Sequence, residues 1–471
     1  MKTLHVDVAI LGAGTAGLNA RRAAEKAGKT AVMIDPGPYG TTCARVGCMP
    51  SKLLIAAAER AHSAHASAPF GVNVPEIQVD GKAVMARVRS ERDRFVGFVM
   101  ESIEDHLAAG RLIKGRGRFL SQSQIQVDDH TLVNFKTAVI ATGSSPFVPP
   151  PYRDMGESMI DNEGLFDMED LPESVLVVGT GVIGLELGQS LHRLGVRTTI
   201  VGIRGVVGPI SDPVVRAVAE KVFSEEMDFR SDHKFESVRR LEDGRVELKS
   251  DGRTDVYDKV LMAAGRRPNV MNLGLENVGL DPRNLPKVDP RITQLGNANI
   301  FIAGDVSNFR PLLHEAADEG RIAGMNAANH PNYEAVPRRT ALGVVFSDPQ
   351  IATVGLSWSA VQERGHCMGE VDYSRQGRAR VMGTNKGWVR IYGDCQDGQL
   401  LGAEMFGPAT EHTAHLLAWA IAQRMTVHQV LEMPFYHPVV EEGIRTALQD
   451  LRKKLHFREK SAPCKELNAS M

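Results

Sequence analysis

The sequence predicts an α/β fold of about three domains, in which one strand–turn–helix unit occurs twice. The chain has 471 residues, 43% of them hydrophobic, and a globular domain averages about 150 residues. A glycine-rich turn follows an apolar strand after position 11, and the same pattern returns after position 178. A strand, a glycine turn and a helix in this order are typical of a Rossmann-like unit. We therefore expect two Rossmann-like domains and one further domain.

The first unit predicts a bound dinucleotide. An apolar strand covers 5–11, a helix covers 18–27, and a second strand over 30–34 ends before Asp35. The glycines of the turn are Gly12, Gly14 and Gly17. Glycines at this spacing permit a tight turn and close approach of a pyrophosphate, and the helix N-terminus attracts its charge. Asp35 stands 23 residues after the first glycine, where a carboxylate accepts hydrogen bonds from the adenosine ribose.

Two cysteines follow this unit, Cys43 and Cys48, in the run GTTCARVGCMPSK over 40–52. In a regular helix, residues five apart are separated by roughly 8 to 9 Å at Cα, whereas a disulfide needs less than about 7 Å. If the two cysteines join, the segment must therefore be a distorted turn. Gly47 supplies the backbone freedom for it, and Pro50 fits the first turn of the helix that follows. Two buried cysteines without a bond are the alternative.

The second unit repeats the pattern. A strand over 175–178 leads into the turn, a helix runs to about residue 194, and a strand over 197–201 follows. The glycines of this turn are Gly179, Gly181 and Gly184. Two dinucleotide units with a cysteine pair between them indicate a flavin and a nicotinamide that exchange electrons with a disulfide. A duplicated fold with one inactive site is the alternative.

The second unit lacks the acid of the first. In the first unit, Asp35 stands 23 residues after the first glycine, Gly12. In the second unit, the residue at the same spacing after Gly179 is Gly202. An NAD site normally has a carboxylate at this place, which binds the ribose hydroxyls and repels a 2′-phosphate. Arg204 follows two residues later, and it either bonds to a 2′-phosphate or points into solvent. The choice between NAD and NADP stays open, and we expect relaxed specificity.

Composition argues against several classes of protein. The formal net charge of −2 argues against nucleic-acid and membrane-surface partners, which need a concentrated positive field. No apolar run reaches the ~18 residues of a membrane span, and a strand begins too early for a signal peptide. We expect a cytoplasmic protein, in which a cysteine pair is more often catalytic than structural. No metal site is expected, because the other cysteines lack metal-ligand spacing and are interpreted as structural or incidental; they are Cys367, Cys395 and Cys464.

Four further motifs lie along the chain: ATG over 141–143, AGRRPN over 264–269, IAGD over 302–305 and HPVVEE over 437–442. With them the chain resembles the pyridine-nucleotide disulfide oxidoreductases, the family of dihydrolipoyl dehydrogenase, glutathione reductase and mercuric reductase. The resemblance covers nearly the whole length. It implies an FAD site and an NAD(P) site, and it adds to the cofactor-binding residues Thr142, Gly143, Gly265, Gly304 and Asp305.

The resemblance also implies roles for the reactive residues. Cys43 would exchange thiols with the substrate, and Cys48 would face the flavin. Thiolate attack requires a base, because a free cysteine with a pKa near 8.5 is mostly protonated at neutral pH, and histidine suits this task. The family match implies that His437 and Glu442 form the acid–base pair, in which Glu442 orients the histidine. In the family this histidine comes from the partner subunit.

Lys52 and Glu186 match a further pair of the family, which forms an ion pair beside the flavin. A cation at that place favours the anionic reduced ring and so tunes the cofactor. Two ordinary helix-surface charges are the alternative.

The resemblance implies three domains. An FAD-binding domain would cover 1–150, and 270–337 would return to it. An NAD(P)-binding domain would cover 151–269, and an α+β dimerisation domain would cover 338–471. The protein is therefore expected to be a homodimer.

The substrate is less determined than the chemistry. PSK over 50–52 and LHEA over 313–316 are closer to dihydrolipoyl dehydrogenase than to glutathione reductase. Arg45 replaces the usual asparagine, and Arg21 and Arg22 fall near a carboxylate-binding arginine of glutathione reductases. We expect a dihydrolipoyl dehydrogenase that takes dihydrolipoamide from a separate lipoyl-bearing protein. The alternatives are an NADPH-dependent reductase of a small disulfide such as glutathione and, in another class, a redox-silent flavoprotein scaffold.

Overall fold

The computed structural model of the chain describes residues 1–461, and it describes side chains up to residue 455. These residues form two compact units. The first comprises Met1–Arg153, Ile160–Leu171 and Ala264–Arg338, and the second comprises Asp154–Met159, Pro172–Ala263 and the segment from position 339 onward. The boundaries of the three expected domains stay predictions. Cys464 lies outside the described residues.

The secondary structure alternates between strands and helices through the first two thirds of the chain. The strands are β1 Lys2–Leu11, β2 Ala31–Asp35, β3 Leu112–Lys114, β4 Gly117–Ser121, β5 Gln124–Val127, β6 Thr131–Ile140, β7 Ser144–Pro146, β8 Met159–Ile160, β9 Ser174–Val178, β10 Arg197–Val201, β11 Asp228–Arg230, β12 Phe235–Arg240, β13 Val246–Ser250, β14 Arg253–Tyr257, β15 Lys259–Met262, β16 Arg266–Pro268, β17 Ile300–Ile302, β18 Leu342–Val345, β19 Gln350–Gly355, β20 His366–Asp372, β21 Trp388–Asp394 and β22 Leu400–Gly407. The α-helices are α1 Thr15–Lys26, α2 Thr42–Val46, α3 Cys48–His65, α4 Gly81–Ala108, α5 Asn162–Asp167, α6 Val182–Arg193, α7 Pro213–Glu226, α8 Leu313–Asn329, α9 Trp358–Val361, α10 Gly377–Val381, α11 Thr410–Ala422, α12 Val427–Leu431 and α13 Glu442–Ser461. Within the described part of the chain, no helix is both long and apolar enough to cross a membrane.

The first unit is built on a seven-stranded sheet with the order β3-β2-β1-β6-β5-β4, and β17 adds to β6. Strands β1, β2, β3, β6 and β17 run parallel, whereas β4 and β5 form an antiparallel extension. The last four residues of β1 are all buried, as expected for a parallel strand whose two faces are covered. The order of β1, α1 and β2 confirms the strand, helix and strand predicted for the first unit.

Helix α8 packs on α1 at very short distance. A Cβ on Gly320 would lie 2.2 Å from Ala16 O, and one on Gly324 would lie 2.0 Å from Ala20 O. Only glycine permits this approach of the two backbones. A Cβ on Gly304 would in turn lie 2.9 Å from the Ala16 Cβ. The packing therefore brings the start of α1 next to the IAGD segment over 302–305, which resembles the family's second flavin motif, although the two are far apart in sequence.

The second unit begins with a sheet in the order β11-β10-β9-β15-β8, in which β9, β10, β11 and β15 run parallel. Strands β9 and β10 confirm the strands predicted over 175–178 and 197–201, and α6 connects them. The antiparallel sheet β12-β13-β14 follows.

The C-terminal part of the second unit is an antiparallel sheet with the order β18-β19-β22-β21-β20. Helix α13 packs on β20 and β21, and α11 packs on β19 and β22. The core between them is apolar and includes Val389, Ile391, Met405, Leu448 and Leu451. Helices on an antiparallel sheet agree with the α+β class expected for this region.

Candidate active site

Two glycines of the turn after β1 are closely packed against backbone atoms, and the third faces open space. Gly12 has a φ of +109°, and a Cβ there would lie 2.2 Å from Ala141 O. A Cβ on Gly17 would lie 2.0 Å from Gly12 O, so both positions need a glycine for close packing. Nothing lies within 4 Å of the Cβ position at Gly14. Open space therefore remains at the N-terminus of α1.

The N-terminus of α1 fits the pyrophosphate of a dinucleotide. Gly14 is the N-cap residue, and no side chain caps the helix, so backbone N–H groups of the first turn remain available. Asp35 lies at the end of β2, where its Oδ2 accepts a hydrogen bond from Ala13 N at 2.7 Å and its Oδ1 accepts one from Gly37 N at 2.7 Å. A carboxylate has about four acceptor positions, so Asp35 retains acceptor capacity for ribose hydroxyls. The residues present fit FAD.

The ATG segment is joined to the segment that follows β16. Thr142 Oγ1 donates to Asn269 O at 2.7 Å, and Asn269 Nδ2 donates to Thr142 O at 3.0 Å. Asn269 N also donates to Gly143 O at 3.0 Å, and Gly265 O accepts from Phe147 N at 2.9 Å. The structure thus places the predicted residues Thr142, Gly143 and Gly265 in two paired segments of the first unit.

The second flavin motif follows β17. Asp305 accepts a hydrogen bond at Oδ2 from Ser144 Oγ at 3.1 Å. Gly304 N donates to Glu319 Oε2 at 2.9 Å, and Ser307 Oγ donates to the same oxygen at 2.9 Å. Glu319 therefore holds the turn that presents Asp305.

Glu319 is one of three buried carboxylates on α8, which sequence reasoning did not single out. Glu315, Asp318 and Glu319 are 4%, 6% and 2% exposed. Burial raises the pKa of Glu319. The signal was present in the sequence, because acids at spacings of three and four residues share one face of a helix.

Arg338 is the buried cation that faces these acids. It forms an ion pair with Glu315, its Nε lies 3.5 Å from Asp318 Oδ2, and its Nη2 lies 3.8 Å from Glu319 Oε1. Its side chain is 8% exposed. Arg338 therefore offsets the charge of this buried acidic cluster together with two less buried arginines, Arg310 at Glu315 and Arg321 at Asp318.

The two cysteines lie at a break between helices. Helix α2 ends before Gly47, and α3 begins at Cys48. A Cβ on Gly47 would lie 3.0 Å from Thr42 O and 3.3 Å from Cys43 Cα, so the missing side chain permits a tight approach. Pro50 is the third residue of α3, where its missing N–H removes no helical hydrogen bond. The distorted turn that a disulfide requires is present.

The two thiols interact directly. Cys43 forms a side-chain hydrogen bond with Cys48, and this bond, burial and the charge of Cys48 raise the pKa of the Cys43 thiol. Lys52 acts in the opposite direction and lowers the pKa of Cys43. Cys43 therefore holds its proton more firmly than an isolated thiol would, and the separate roles of the two thiols stay a prediction.

Helix α5 anchors the segment between the cysteines. Nη1 and Nη2 of Arg45 each lie 3.4 Å from Glu163 Oε2. The buried Asn162 Nδ2 donates to Val46 O at 2.6 Å. Arg45, which departs from the family pattern, thus has a partner within the first unit.

Glu186 and Lys52 lie in different units. Glu186 is on α6, is 5% exposed and accepts a hydrogen bond from Phe346 N at 3.0 Å. Lys52 is half-buried on α3. Neither is an ordinary exposed surface charge, and the ion pair between them stays a prediction.

The second glycine turn repeats the geometry of the first. Gly179 has a φ of +124°, and a Cβ on Gly184 would lie 1.9 Å from Gly179 O. Nothing lies within 4 Å of the Cβ position at Gly181, which is the N-cap of α6 and has no side-chain cap. The turn therefore also fits a pyrophosphate.

The end of β10 differs from an ordinary NAD site. A Cβ on Gly202 would lie 2.5 Å from Thr180 Oγ1 and 3.0 Å from Ser231 O. The buried Thr180 side chain thus occupies the space into which an acidic side chain would extend. Arg204 is exposed, and its backbone N donates to Oδ1 of the exposed Asp232 at 2.8 Å. A guanidinium and a carboxylate are therefore both present next to Gly202.

His437 and Glu442 are brought together in the second unit. His437 Nδ1 lies 3.0 Å from Oε1 and 3.1 Å from Oε2 of Glu442, and Val439 N also donates to Oε2 at 3.2 Å. The hydrogen bond with His437 lowers the pKa of Glu442, so the carboxylate is ionised at neutral pH. The imidazole is thereby oriented through Nδ1, and Nε2 is left for proton transfer. Its side chain is 81% exposed.

Arg21 does not face a ligand site. It is 3% exposed, and its Nη1 lies 2.5 Å from Glu25 Oε1. Its Nη2 lies 3.5 Å from Nε2 of His106, whose pKa is lowered by burial and by this cation. Of the two arginines near the glutathione-type position, Arg21 is therefore part of the core, whereas Arg22 is exposed.

Two family models match the chain. Residues 6–320 match the family described as pyridine nucleotide-disulphide oxidoreductase. Residues 342–448 match the dimerisation domain of the pyridine nucleotide-disulphide oxidoreductases.

Relatives of similar length carry both regions. Dihydrolipoyl dehydrogenase of Halobacterium salinarum is 30% identical over 463 residues, which cover 94% of this chain and 95% of the relative. The mitochondrial dihydrolipoyl dehydrogenase of Rattus norvegicus is 30% identical over 466 residues, which cover 94% of this chain and 90% of the relative.

Two solved structures share the architecture. LpdA from Mycobacterium tuberculosis has a TM-score of 0.80 and 26% identity, with 95% of this chain and 99% of that chain covered. The HOCl-induced flavoprotein disulfide reductase RclA from Escherichia coli has a TM-score of 0.77 and 22% identity, with 94% and 99% covered. The likeness to RclA shows a common fold.

Proposed function

The chain belongs to the pyridine nucleotide-disulphide oxidoreductase family, and we propose that it is an FAD-dependent dihydrolipoyl dehydrogenase. The observation that carries the proposal is the interaction of the Cys43 and Cys48 thiols at the break between α2 and α3. Two interacting thiols interconvert with a disulfide by exchange of two electrons. The raised pKa of the Cys43 thiol supports its role as the sulfur that takes up a proton when the disulfide is reduced.

The first unit would hold FAD. The N-terminus of α1 would bind the pyrophosphate, Asp35 the adenosine ribose and Asp305 the ribityl chain, with Lys52 near the reacting thiols. When bound, FAD supplies the electron relay between the dithiol and the nicotinamide.

Substrate oxidation would proceed by thiol–disulfide exchange. A thiolate of dihydrolipoamide attacks Cys43 Sγ, the bond between Cys43 and Cys48 breaks, and Cys48 leaves as a thiolate. The second substrate thiol then attacks the substrate sulfur bound to Cys43, which closes the cyclic disulfide and releases Cys43. Two electrons pass to the protein, one proton goes to Cys43 and the other goes to the base.

The base would be His437 of the partner subunit. In one chain its imidazole is 81% exposed, and the side chains of Tyr436 and Trp419 are 79% and 66% exposed. Large exposed aromatic residues are typical of a surface that another chain covers. Together with the match to a dimerisation domain, this supports a homodimer.

The relatives support dihydrolipoamide as the substrate, because those reported above are named dihydrolipoyl dehydrogenases. The burial of Arg21 removes one reason to expect glutathione. We propose that the dihydrolipoamide arrives on a separate lipoyl-bearing protein.

A second candidate is an NADPH-dependent reductase of a small disulfide. The glycine at position 202, with the Thr180 side chain beside it and Arg204 nearby, favours acceptance of a 2′-phosphate. The carboxylate of Asp232 opposes it. We therefore propose that the enzyme accepts both coenzymes, which is compatible with either candidate.

Two values of kcat/KM distinguish the two candidates. One is measured for dihydrolipoamide with NAD or NADP, and the other for glutathione disulfide with NADPH. We expect dihydrolipoamide to be preferred by roughly 10²-fold or more, and Cys43→Ser to abolish both activities as a control. A preference for glutathione disulfide would favour the second candidate. A protein that turns over neither substrate and shows no change in flavin absorbance on reduction would be the redox-silent scaffold.

A further inference from the structure

Two cysteines that the dithiol chemistry does not use lie side by side in the second unit. Cys367 is on β20, and Cys395 directly follows β21. Their Sγ atoms are 2.7 Å apart. Their spacing in the sequence did not predict this contact. We propose that Cys367 and Cys395 form a second disulfide when the protein meets a hydroperoxide, whatever the substrate of the first pair.

The register of the sheet places the two sulfurs together. In the antiparallel pair of β20 and β21, Cys367 stands opposite Gly393, and Cys395 N donates to Gly365 O at 3.4 Å. The cysteines are therefore diagonal neighbours, and each faces a glycine across the ladder. No cross-strand side chain stands between them, and closing the contact to a bond length of about 2.05 Å requires a shift of well under 1 Å.

The surroundings suit a disulfide better than a charged thiolate. Cys367 is 7% exposed and belongs to the apolar core beneath α13, with Leu448 and Leu451. A Cβ on Gly369, two residues along β20, would lie 2.0 Å from Ala447 O, so the helix lies directly on this strand. A neutral disulfide can occupy such a place without the desolvation penalty of a charge.

The pair has too few neighbours for a metal site. Within residues 1–461, no group of three or more His, Cys, Asp or Glu side chains is arranged to hold a metal ion. A tetrahedral zinc site needs four ligands, of which the two thiols supply two. Oxidation is the chemistry that remains for two adjacent thiols.

Cys395 is the sulfur that an oxidant reaches, because it is half-exposed whereas Cys367 is buried. The Cys395 thiol loses its proton, and the thiolate attacks one oxygen of hydrogen peroxide, so that the O–O bond breaks. The departing hydroxide takes up that proton, and a sulfenic acid and one water result. Cys367 then attacks the sulfenic sulfur, the S–S bond forms, and a second water leaves. One peroxide is reduced to two waters by the two electrons of the two thiols.

The disulfide would link strand β20 to the residue that follows strand β21, under the C-terminal half of α13. A Cβ on Gly393 would lie 3.1 Å from Leu451 Cδ2, and Leu451 is nine residues after Glu442, or roughly 14 Å along the helix. The disulfide should therefore raise thermal stability through the closed loop and leave the orientation of His437 and the turnover unchanged.

The test uses the full-length holoenzyme, first reduced with dithiothreitol and then treated with hydrogen peroxide. Free thiols are alkylated, the protein is digested without reduction, and the peptides are analysed by mass spectrometry. We expect a linked Cys367–Cys395 peptide in the parent and in the control Cys464→Ser, its absence in Cys395→Ser, and its loss after renewed reduction. On oxidation, the melting temperature Tm of the parent should rise by a few degrees more than that of Cys395→Ser, in which only the pair of Cys43 and Cys48 can be oxidised.

Three outcomes would overturn the proposal. One is that both cysteines of the parent remain alkylated after peroxide has oxidised Cys43 and Cys48. Another is that Cys395 accumulates as sulfinic acid or is linked to Cys464 instead. The third is a linked peptide that appears only when peroxide is added to protein denatured in urea, which would mean that the bond does not form in the folded protein. The peptide map of the parent is decisive even if the variant folds poorly.

Discussion

Restoring an acid at position 202 probes the nicotinamide site through a defined steric conflict. The Cβ position of Gly202 lies 2.5 Å from Thr180 Oγ1 and 2.7 Å from its Cγ2, distances that no side chain tolerates without displacement. Gly202→Glu alone should therefore force the buried Thr180 to move, at a cost of about 1–3 kcal/mol in the free energy of unfolding. Combining it with Thr180→Gly removes this overlap and leaves only the contact to Ser231 O at 3.0 Å.

The double variant should shift coenzyme preference toward NAD. A hydrogen bond with a charged partner is worth about 1.5–3 kcal/mol, which corresponds to roughly a 10- to 150-fold change in the ratio of kcat/KM for NAD and NADP. The assay measures this ratio in the parent, in both single variants and in the double variant. A ratio that changes less than about threefold, under 1 kcal/mol, in the double variant would refute the reasoning. So would a parent that already prefers NAD by about a thousandfold, roughly 4 kcal/mol.

The remaining predictions concern the base and the acidic cluster. His437→Gln should lower turnover by about 10²-fold or more, the size of a general acid–base contribution, and leave the flavin content unchanged. The control His130→Gln, at an exposed histidine, should leave turnover unchanged. If His437→Gln retains turnover within about threefold of the parent across pH 6–9, His437 is not the base. Arg338→Met should lower the free energy of unfolding by about 3–5 kcal/mol, because it removes the buried partner of the acidic cluster. A loss under about 1 kcal/mol, expected for Arg118→Met at the exposed pair with Glu276, would contradict this. Since burial raises the pKa of Glu319, the protonated carboxyl stabilises the fold below the ordinary pKa of about 4.3, and this stability is lost as pH rises through the higher folded value. Glu319→Gln should therefore increase Tm relative to the parent at pH 8 but not at pH 4, and a difference in Tm that is independent of pH would disprove it.

The sequence predicted those parts of the fold that are formed by residues close together in the chain. The two glycine turns, the strands before and after them and the break at Gly47 follow from residues within about 25 positions of one another, the span of one strand–helix–strand unit. The pairing of His437 with Glu442 also involves neighbours in sequence, although only the family resemblance singled it out among the histidines.

Features that depend on distant residues were not predicted. Thr180 blocks the side of Gly202 because β9 and β10 are adjacent in the sheet, which the spacing of the glycines alone does not reveal. Cys367 and Cys395 lie side by side because of the register of β20 and β21. Arg338 follows α8 in the sequence and contacts its acids only because the chain folds back onto the helix. Position in the sheet and packing of helices decide these contacts, and neither has a local sequence signature.

The central claim is that Cys43 and Cys48 form the redox-active pair, with the Cys48 thiolate next to the flavin. The most direct measurement is the long-wavelength charge-transfer absorbance between a thiolate and the oxidised flavin, recorded for the two-electron-reduced parent and for the Cys43→Ser and Cys48→Ser variants. We expect the band in the parent and in Cys43→Ser, its absence in Cys48→Ser, and bound yellow flavin in all three. A band that survives in Cys48→Ser and disappears in Cys43→Ser would reverse the two roles, and a parent without the band would contradict the claim itself.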